Sequence, residues 1–443
     1  MTIYALSSGP GVSGIAVIRI SGNRAKEIIT SITTGDFPRE RMATLKKIVN
    51  PNTKEIIDEG IVIWFKGPNS YTGEDMGELH VHGSKAVVNE IQNILARFRE
   101  CRLADPGEFT KIAFHNNKIN LLKAESIGDL IAAETELQRK QALKAMTGYN
   151  SKKYEFWREE LIKILAEVEA KIDFPDENIS DDISSEIFNK TENLIREIEN
   201  NLKDNKVGEI IREGFKIAII GPPNVGKSSL LNYLSKREVA IVSEKAGTTR
   251  DVIEVHLDLA GIPVIISDTA GIRESIDDIE TRGVKLAINK ADDADLNIVL
   301  LDPKNLDFKG FLKSELYEKS IFAINKSDLI KNALQIKNVG INPITMSIKE
   351  EKNIEKLIDA IKIKLNYKFL QSENVLITRS RHRYHLVECN KHLNSFLEKK
   401  QNEEYDKAAE DLRLSIRHIG TIVGRVDVEE ILGSIFENFC IGK

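Results

Sequence analysis

Hydrophobic positions along the chain change rhythm three times. Over residues 1 to about 115, short strand-like runs (IAVIRI, IVIWF, GELHVH) alternate with glycine- and proline-rich turns (SGPG, KGPNSYTGED, DPGEF), which predicts a compact α+β unit. From 116 to 212 the period lengthens: Trp157, Leu161, Ile164, Leu165 and Val168 recur at helical spacing, DFPDEN interrupts them, and Leu194, Ile195, Ile198 and Leu202 resume. Residues 213 to 368 carry buried-strand runs (FKIAII, PVIISD, LNIVLLD, IFAIN) between helix-like segments, the habit of a parallel sheet with helices on both faces. Helices then return over 369–443. In the last of them Asp427 stands at a capping position with Glu430 three residues on, and Val428, Ile431, Leu432, Ile435, Phe436 and Phe439 form one apolar stripe. An α/β domain is therefore expected to interrupt a helical one, with no internal repeat.

Composition narrows the class. With 41% hydrophobic and 30% charged residues over 443 positions, the chain has enough apolar material for two or three packed cores, which argues against disorder. A net charge of −5 gives no global attraction to phosphate backbones, so contact with nucleic acid needs a local basic patch. TRSRHRYH at 378–385 is one candidate; a solvated helix end or an interdomain contact is the alternative. Cys101, Cys389 and Cys440 are widely spaced and in no CxxC arrangement, which argues against a disulfide framework or a zinc site and suits a reducing compartment. The amino terminus lacks a basic leader and carries Arg19 inside its apolar run, while the other apolar runs are too short to span a bilayer. A cytoplasmic protein is expected.

The strongest chemical signal is GPPNVGKSS, Gly221 to Ser229, placed between a predicted strand and a predicted helix. Its glycines let backbone N–H groups curl round phosphates, Lys227 reaches the β/γ oxygens, and Ser228 supplies a hydroxyl for Mg²⁺. In NKSD, Asn325, Lys326 and Asp328 follow the strand IFAIN, and an aspartate there accepts from guanine N1–H and the 2-amino group, which adenine cannot offer. In DTAG, Asp268, Thr269, Ala270 and Gly271 end another strand, where a carboxylate reaches the metal shell and a glycine N–H the γ-phosphate. GTTRD at 247–251 adds Thr249 as a second candidate Mg²⁺ ligand. These four stretches, in the chain order GPPNVGKSS, GTTRD, DTAG and NKSD, resemble a Ras-like G domain, which implies GTP.

Ile272 follows DTAG, where familiar switch GTPases place a water-orienting glutamine, so the hydrolytic apparatus has to differ. The Asn224 amide oxygen is a candidate ligand for a monovalent cation against the β- and γ-phosphates, with a loop-stabilising asparagine as the alternative. Glu280, in RESIDDIE, is a candidate water-positioning carboxylate; a solvated charge run is the alternative.

SYTGED (70–75), RLADPGEFT (102–110), AFHNNKINLLKAESIGDLI (113–131), IDFPDENI (172–179), the inserted G domain and the terminal FCIGK together resemble the MnmE, or TrmE, family of tRNA-modifying GTPases over the whole chain. The resemblance implies a fold of three parts: an N-terminal α+β folate-binding and dimerisation domain (1–115), a discontinuous helical domain (116–212 and 369–443), and an inserted doubly wound G domain (213–368). It implies a homodimer that works with an FAD-dependent MnmG (GidA)-like partner to place an aminomethyl or carboxymethylaminomethyl group on C5 of the wobble uridine of certain tRNAs. The one-carbon unit comes from a tetrahydrofolate derivative, and two G domains meeting across the dimer hydrolyse GTP with K⁺ bound.

Matching positions then take implied roles. K⁺ falls to Asn224, Ser243, Lys245 and Thr248, Mg²⁺ to Ser228 and Thr249, and the hydrolytic water to Glu280. Further nucleotide contacts fall to Val225, Gly226, Ser229, Gly247 and the guanine loop Ser347, Ile348 and Lys349, a stretch that departs from the usual S-A-R-like one. Folate falls to Arg19, Glu78, Lys118 and Lys443, with Ser13 and Ser84 standing where the family more often has glycine.

Three readings of FCIGK stay open. A lipid anchor is opposed by Lys443 in the last place, Gly442 in an aliphatic one and the lack of a polybasic run. A second makes Cys440 a small buried hydrophobe, and the resemblance adds a third, a functional thiol at the folate pocket. A GTPase switch that binds RNA without modifying it, and a folate enzyme with a regulatory GTPase, are the rival functions.

Overall fold

The computed structural model describes residues 1–173, 181–204, 206–237, 240–241, 254–268, 290–304, 306, 314–329, 342–369, 375–401, 405–426, 432–433, 435, 439 and 442. Two compact units emerge: one of 1–128, 145–187 and 391–443, the other of 129–144 and 188–390. Among the described residues no helix is long and apolar enough to cross a membrane.

The first unit opens with β1 (Thr2–Leu6), β2 (Ser13–Ser21), α1 (Ala25–Ile32), β3 (Thr44–Val49), β4 (Ile56–Phe65), β5 (Met76–Gly83), α2 (Lys85–Leu95) and β6 (Cys101–Leu103). The strands form one sheet in the order β3-β4-β5-β2-β1-β6, antiparallel except for the β1/β6 pair. Alternation decides its two faces. Ile18 and Ile20, with Val62, Leu79 and Val81, pack against Ile28, Ile29 and Ile32 of α1 and Ile91, Ile94 and Leu95 of α2. The residue between them, Arg19, therefore lies on the other face, directly paired in register with Glu78. Ser84 is the N-cap of α2, its hydroxyl accepting from the Val87 N–H at 3.2 Å. A glycine there would give up that bond, a local reason for serine at this turn.

Helices α3 (Glu108–His115), α4 (Leu121–Ile131), α5 (Glu136–Met146), α6 (Tyr149–Asp173), α7 (Asp181–Leu202) and α8 (Val207–Glu213) follow. The helical period of the sequence is realised in α6, where Tyr154, Trp157, Leu161, Ile164 and Val168 are buried. Each such side chain contributes about 1.5–3 kcal/mol by leaving water.

The second unit holds β7 (Phe215–Ile220), α9 (Lys227–Ser235), β8 (Ala240–Ile241), β9 (Glu254–Leu259), β10 (Ile262–Asp268), β11 (Leu296–Leu301), β12 (Ser320–Ile324), β13 (Ile344–Thr345) and α10 (Ile354–Phe369). Its described strands run β13-β12-β11-β7-β10-β9-β8. The pairs joining β13, β12, β11, β7 and β10 are parallel, as the buried runs imply, but β9 and β8 are antiparallel. The departure comes from a two-residue turn: Leu259 pairs with Ile262, and the intervening Ala260 and Gly261 lie at φ 59 and 83. Positive φ at both central residues matches strand twist in a tight hairpin, and alanine hides that signal in the sequence. Carboxyl ends of β7, β10, β11, β12 and β13 share one edge, and β7 lies between its crossover neighbours β10 and β11, the place where open α/β sheets hold ligands.

The chain leaves for this sheet and returns from it at a shared clamp. Arg383, in α11 (Ser380–Gln401), donates to Glu209 at 2.7 Å, to Asp204 at 2.6 Å and to the Leu202 carbonyl at 3.0 Å. Asp129 accepts from Arg212 at 2.9 Å and from Arg379 at 2.7 Å. Two arginines of TRSRHRYH are thereby committed to internal ion pairs, which favours the contact reading of that cluster over a nucleic-acid grip. Gly208 fits flush against the Ile377 carbonyl, where a Cβ would collide.

In the first unit α6 packs antiparallel to α12 (Tyr405–Val423), with Glu169 on Arg413 at 2.9 Å and Glu155 on Arg425 at 3.2 Å. Asp411 of α12 accepts from Lys399 Nζ at 2.7 Å, Ser395 Oγ at 3.0 Å and His392 Nδ1 at 3.2 Å. Burial pushes its carboxyl up, but these donors outweigh it and hold the group below the ordinary value. Such a carboxylate stabilises the fold above its unfolded value of 3.8, and the contribution drains away as pH falls through the lower folded one. Asp411→Asn is expected to cost about 1–3 kcal/mol at pH 7 in chemical denaturation, with the gap to the parent closing in acid below that window.

The tail joins the same unit. Leu432, Ile435 and Phe439 pack with Leu121, Ala124, Phe114 and Ile119, as the apolar stripe implies. Asp427, Val428, Glu430, Ile431 and Phe436 lie outside the described residues.

Candidate functional site

The nucleotide candidate begins where β7 ends. Gly221 lies at φ 150 against the Leu300 carbonyl, and Gly226, at φ 106, faces the Asn325 side-chain amide; a Cβ at either position would collide. Between them Asn224 turns the chain in the left-handed region at φ 60. Lys227, the first residue of α9, is buried and folds back so that Nζ donates to the carbonyls of Gly221 and Pro222, each at 2.9 Å. This holds an ammonium over a loop whose backbone N–H groups open onto a helix N-terminus, a combination suited to a polyphosphate. Ser228 and Ser229 are exposed in the first turn, and a hydroxyl oxygen such as that of Ser228 suits a hard divalent cation.

Asn325 is the staple of the site. Its Nδ2 donates to the Val225 carbonyl at 2.8 Å, and its Oδ1 accepts from the Ile348 N–H at 3.1 Å. The phosphate loop and the loop after β13 are thus tied through one amide. Ser347 donates to Asp328 Oδ1 at 2.7 Å, and that bond holds the exposed Asp328 carboxyl below its usual range, leaving an anion to read hydrogen-bond donors. Ser347 is buried and Lys349 exposed, and within the unusual S-I-K stretch the Ile348 N–H is the one that Asn325 accepts.

Lys326 Nζ bridges the Asn224 carbonyl and Asp302 Oδ2, each at 2.8 Å. Asp302 escaped the sequence motifs, although an aspartate closing the apolar run LNIVLLD was the signal available. Asp268 ends β10 opposite Ile219 in the sheet. Ser243, Lys245, Gly247, Thr248, Thr249, Thr269, Ala270, Gly271, Ile272 and Glu280 lie outside the described residues.

The second candidate is on the N-terminal sheet. Arg19 donates twice to Glu78 Oε1, from Nε at 3.0 Å and Nη2 at 2.9 Å, and both side chains keep 15% exposure, enough for a ligand to reach them. His80 Nε2 lies 3.3 Å from the other Glu78 oxygen. The Arg19 guanidinium also sits 5.5 Å from the Tyr71 ring centroid and 5.6 Å from that of Phe109. Tyr71 contacts the Thr110 hydroxyl at 2.8 Å, and burial pushes its phenol up. A carboxylate, a guanidinium and two rings form a donor set that fits a planar heterocycle bearing N–H groups and an anionic tail.

Gly442 reaches this face from the far end of the chain. The Gly442 carbonyl accepts from Ser7 Oγ at 2.9 Å and lies 3.5 Å from Arg19 Nη1. Cys440 and Lys443 lie outside the described residues. Lys118 donates instead to the Pro68 carbonyl at 2.7 Å, on the loop carrying SYTGED, and its aliphatic stem lies beside Gly73. The sequence missed Ser7, Tyr71 and Phe109, which only strand pairing and the return of the tail bring to Arg19.

Gly442 lies at φ 101, and a Cβ there would fall 2.8 Å from Ser7 Cα as well as striking the Leu6 carbonyl. Gly442→Ala is expected to undock the tail, read as faster amide exchange in the 436–443 peptide with little change in global stability, because both backbone strain and the clash are relieved by release.

A family model described as the MnmE helical domain matches residues 121–440, and one described as the GTP-binding protein TrmE N-terminus matches 2–118. The tRNA modification GTPase MnmE of Pelagibacter ubique (strain HTCC1062) is 58% identical over 445 residues, with 100% of both chains covered. That of Rickettsia akari (strain Hartford) is 44% identical over 447 residues, again covering 100% of both. Among solved structures, Era of Aquifex aeolicus bound to GDP and aluminium fluoride aligns at 26% identity with a TM-score of 0.27, over 40% of this chain and 66% of that one. The FeoB G-domain of Methanococcus jannaschii aligns at 26% and 0.25, over 34% and 97%.

Proposed function

The chain belongs to the MnmE, or TrmE, family of tRNA modification GTPases, and from that premise we propose that it hydrolyses GTP to drive modification of the tRNA wobble uridine at C5. It is a multidomain GTPase of this type, with an inserted Ras-like G domain. The observation that carries the reading is the joining at one sheet edge of Lys227, the Asn325 staple and the Asp328–Ser347 pair. Asp328 selects guanine through two accepted hydrogen bonds, and Lys227 holds the β- and γ-phosphate oxygens.

Ser228 and Thr249 are the proposed Mg²⁺ ligands, and Asn224, Ser243, Lys245 and Thr248 those of K⁺. Bound there, the two cations neutralise charge on the transferring phosphoryl group. Glu280 orients the attacking water, the task that Ile272 cannot perform. Pairing of two G domains in a homodimer completes this site.

Arg19, Glu78, Lys118 and Lys443 are proposed to hold a tetrahydrofolate derivative that carries the one-carbon unit. Glu78 accepts from the pterin donors, the cationic side chains take the glutamyl carboxylates, and Cys440 serves as a thiol beside them. The (carboxymethyl)aminomethyl product requires an MnmG (GidA)-like partner bearing FAD, and the complex is expected to act on tRNA in the cytoplasm.

The test is mass spectrometry of wobble-uridine nucleosides in tRNA from cells lacking this chain, complemented by the parent or by Cys440→Ser. Restoration by the parent alone supports both the function and the thiol, once the variant is shown to be expressed and folded. Restoration by both returns Cys440 to packing, and restoration by neither points to a GTPase switch without modification chemistry.

A further inference from the structure

At the nucleotide edge, one ion pair reaches the phosphate loop from a strand that carries none of the nucleotide motifs. Asp302 follows β11 directly and is fixed at both oxygens: Oδ1 accepts from the Lys304 N–H at 2.9 Å and Oδ2 from Lys326 Nζ at 2.8 Å. The same ammonium donates to the Asn224 carbonyl at 2.8 Å. Lys326 and Asn224 lie at φ 58 and 60, a left-handed region that asparagine adopts readily and lysine only with support from its surroundings. Asp302 keeps 18% side-chain exposure and Lys326 34%, so the pair is screened less than one on the open surface.

We propose that Asp302 is a positioning residue of the phosphate loop, anchoring the Lys326 ammonium so that it holds the Asn224 carbonyl and presents the Asn224 side chain toward a monovalent cation on the nucleotide phosphates. The cation half of this inference rests on the function proposed above; the loop-holding half does not.

The physical logic is a choice of partners for one ammonium. With Asp302 present, Lys326 has a permanent counter-charge and its remaining hydrogens are directed to the loop. Without it, the cation is drawn to the nearest other anion, the bound nucleotide, and the Asn224 peptide loses its tether. Burial pushes the Asp302 carboxyl up, but Lys326 and the Lys304 N–H more than reverse this, so the anchor stays charged throughout the neutral range.

The test compares Asp302→Asn with the parent as full-length protein. First, amide exchange across 221–226 in the GDP complex is expected to rise at least about tenfold, with melting temperature and exchange in α6 unchanged. Second, the K⁺ concentration for half-maximal GTP hydrolysis is expected to rise at least about fivefold, with kcat returning to within about twofold of the parent at saturating K⁺ and KM for GTP nearly constant. Unchanged exchange in the loop overturns the inference. So does a uniform loss of kcat that K⁺ does not restore. If the parent itself ignores K⁺, the cation assignment of Asn224 falls, and loop exchange alone still decides the role of Asp302.

Discussion

An Asn224→Ala variant is expected to hydrolyse GTP at one slow rate whether the salt is KCl or NaCl, whereas the parent in KCl runs on the order of 10³ to 10⁵ times faster than without K⁺. The expectation follows from a missing group and a placed one. The Ile272 side chain has no group to orient a water, so the hydrolytic step has to be assisted by something other than a glutamine at that position. Asn224 is exposed at the tip of a loop whose other groups are already committed, its carbonyl held by Lys326 and its neighbour Val225 by Asn325. Removal of the side chain deletes the proposed cation ligand without touching the groups proposed to hold the base and the β-phosphate. GTP affinity measured with a fluorescent nucleotide should therefore stay within a few-fold of the parent. Equal K⁺ stimulation in variant and parent would sink the assignment.

Asp328→Asn is expected to act on binding, and to reverse its preference. In the proposed complex the carboxylate presents acceptors to the two donors of guanine, while the bond from Ser347 to Oδ1 fixes its orientation. An asparagine presents one acceptor and one donor, so a guanine N–H meets an N–H. Sites built to satisfy a specific hydrogen-bond pattern reject a mismatched group by about 10⁴-fold or more. GTP affinity is expected to fall on that order, while xanthosine triphosphate, with a carbonyl in place of the 2-amino group, binds better to the variant than to the parent. Competition binding with both nucleotides reads the exchange directly, and retained GTP preference would show that the base is held elsewhere.

The contrast between what the sequence made legible and what it hid has a physical basis. Gly221, Gly226 and Lys227 could be read in advance because phosphate binding needs a tight turn and a cation at fixed spacing within one loop. The helical period of α6 was equally plain, since a buried stripe on a helix repeats locally. The Arg19 site was different. Its parts come from β2, β5, the loop after β4, α3 and the tail, and only antiparallel register sets Arg19 beside Glu78. Without the family resemblance each was a plausible surface charge or core ring. The β9/β10 hairpin was hidden because Ala260 accepts a backbone angle that composition leaves to glycine or asparagine. Arg383 and Arg379 stood in a cluster whose sequence left both a basic patch and an internal contact open, because their partners Asp204, Glu209 and Asp129 are distant along the chain.

The clamp formed by Arg383, Asp204 and Glu209 also bears on how freely the nucleotide-binding stretch can change size. Because the chain departs and returns side by side, everything between is, for the flanking helices, a loop already closed at its base. Closure entropy grows only with the logarithm of loop length, so even doubling the stretch would cost its helical base about 0.6 kcal/mol. Growth or trimming of surface segments far from the clamp is thus nearly invisible to the helices that carry it, which are tied at their base by Arg383 with Asp204 and Glu209, by Asp129 with Arg212 and Arg379, and by the close fit of Gly208.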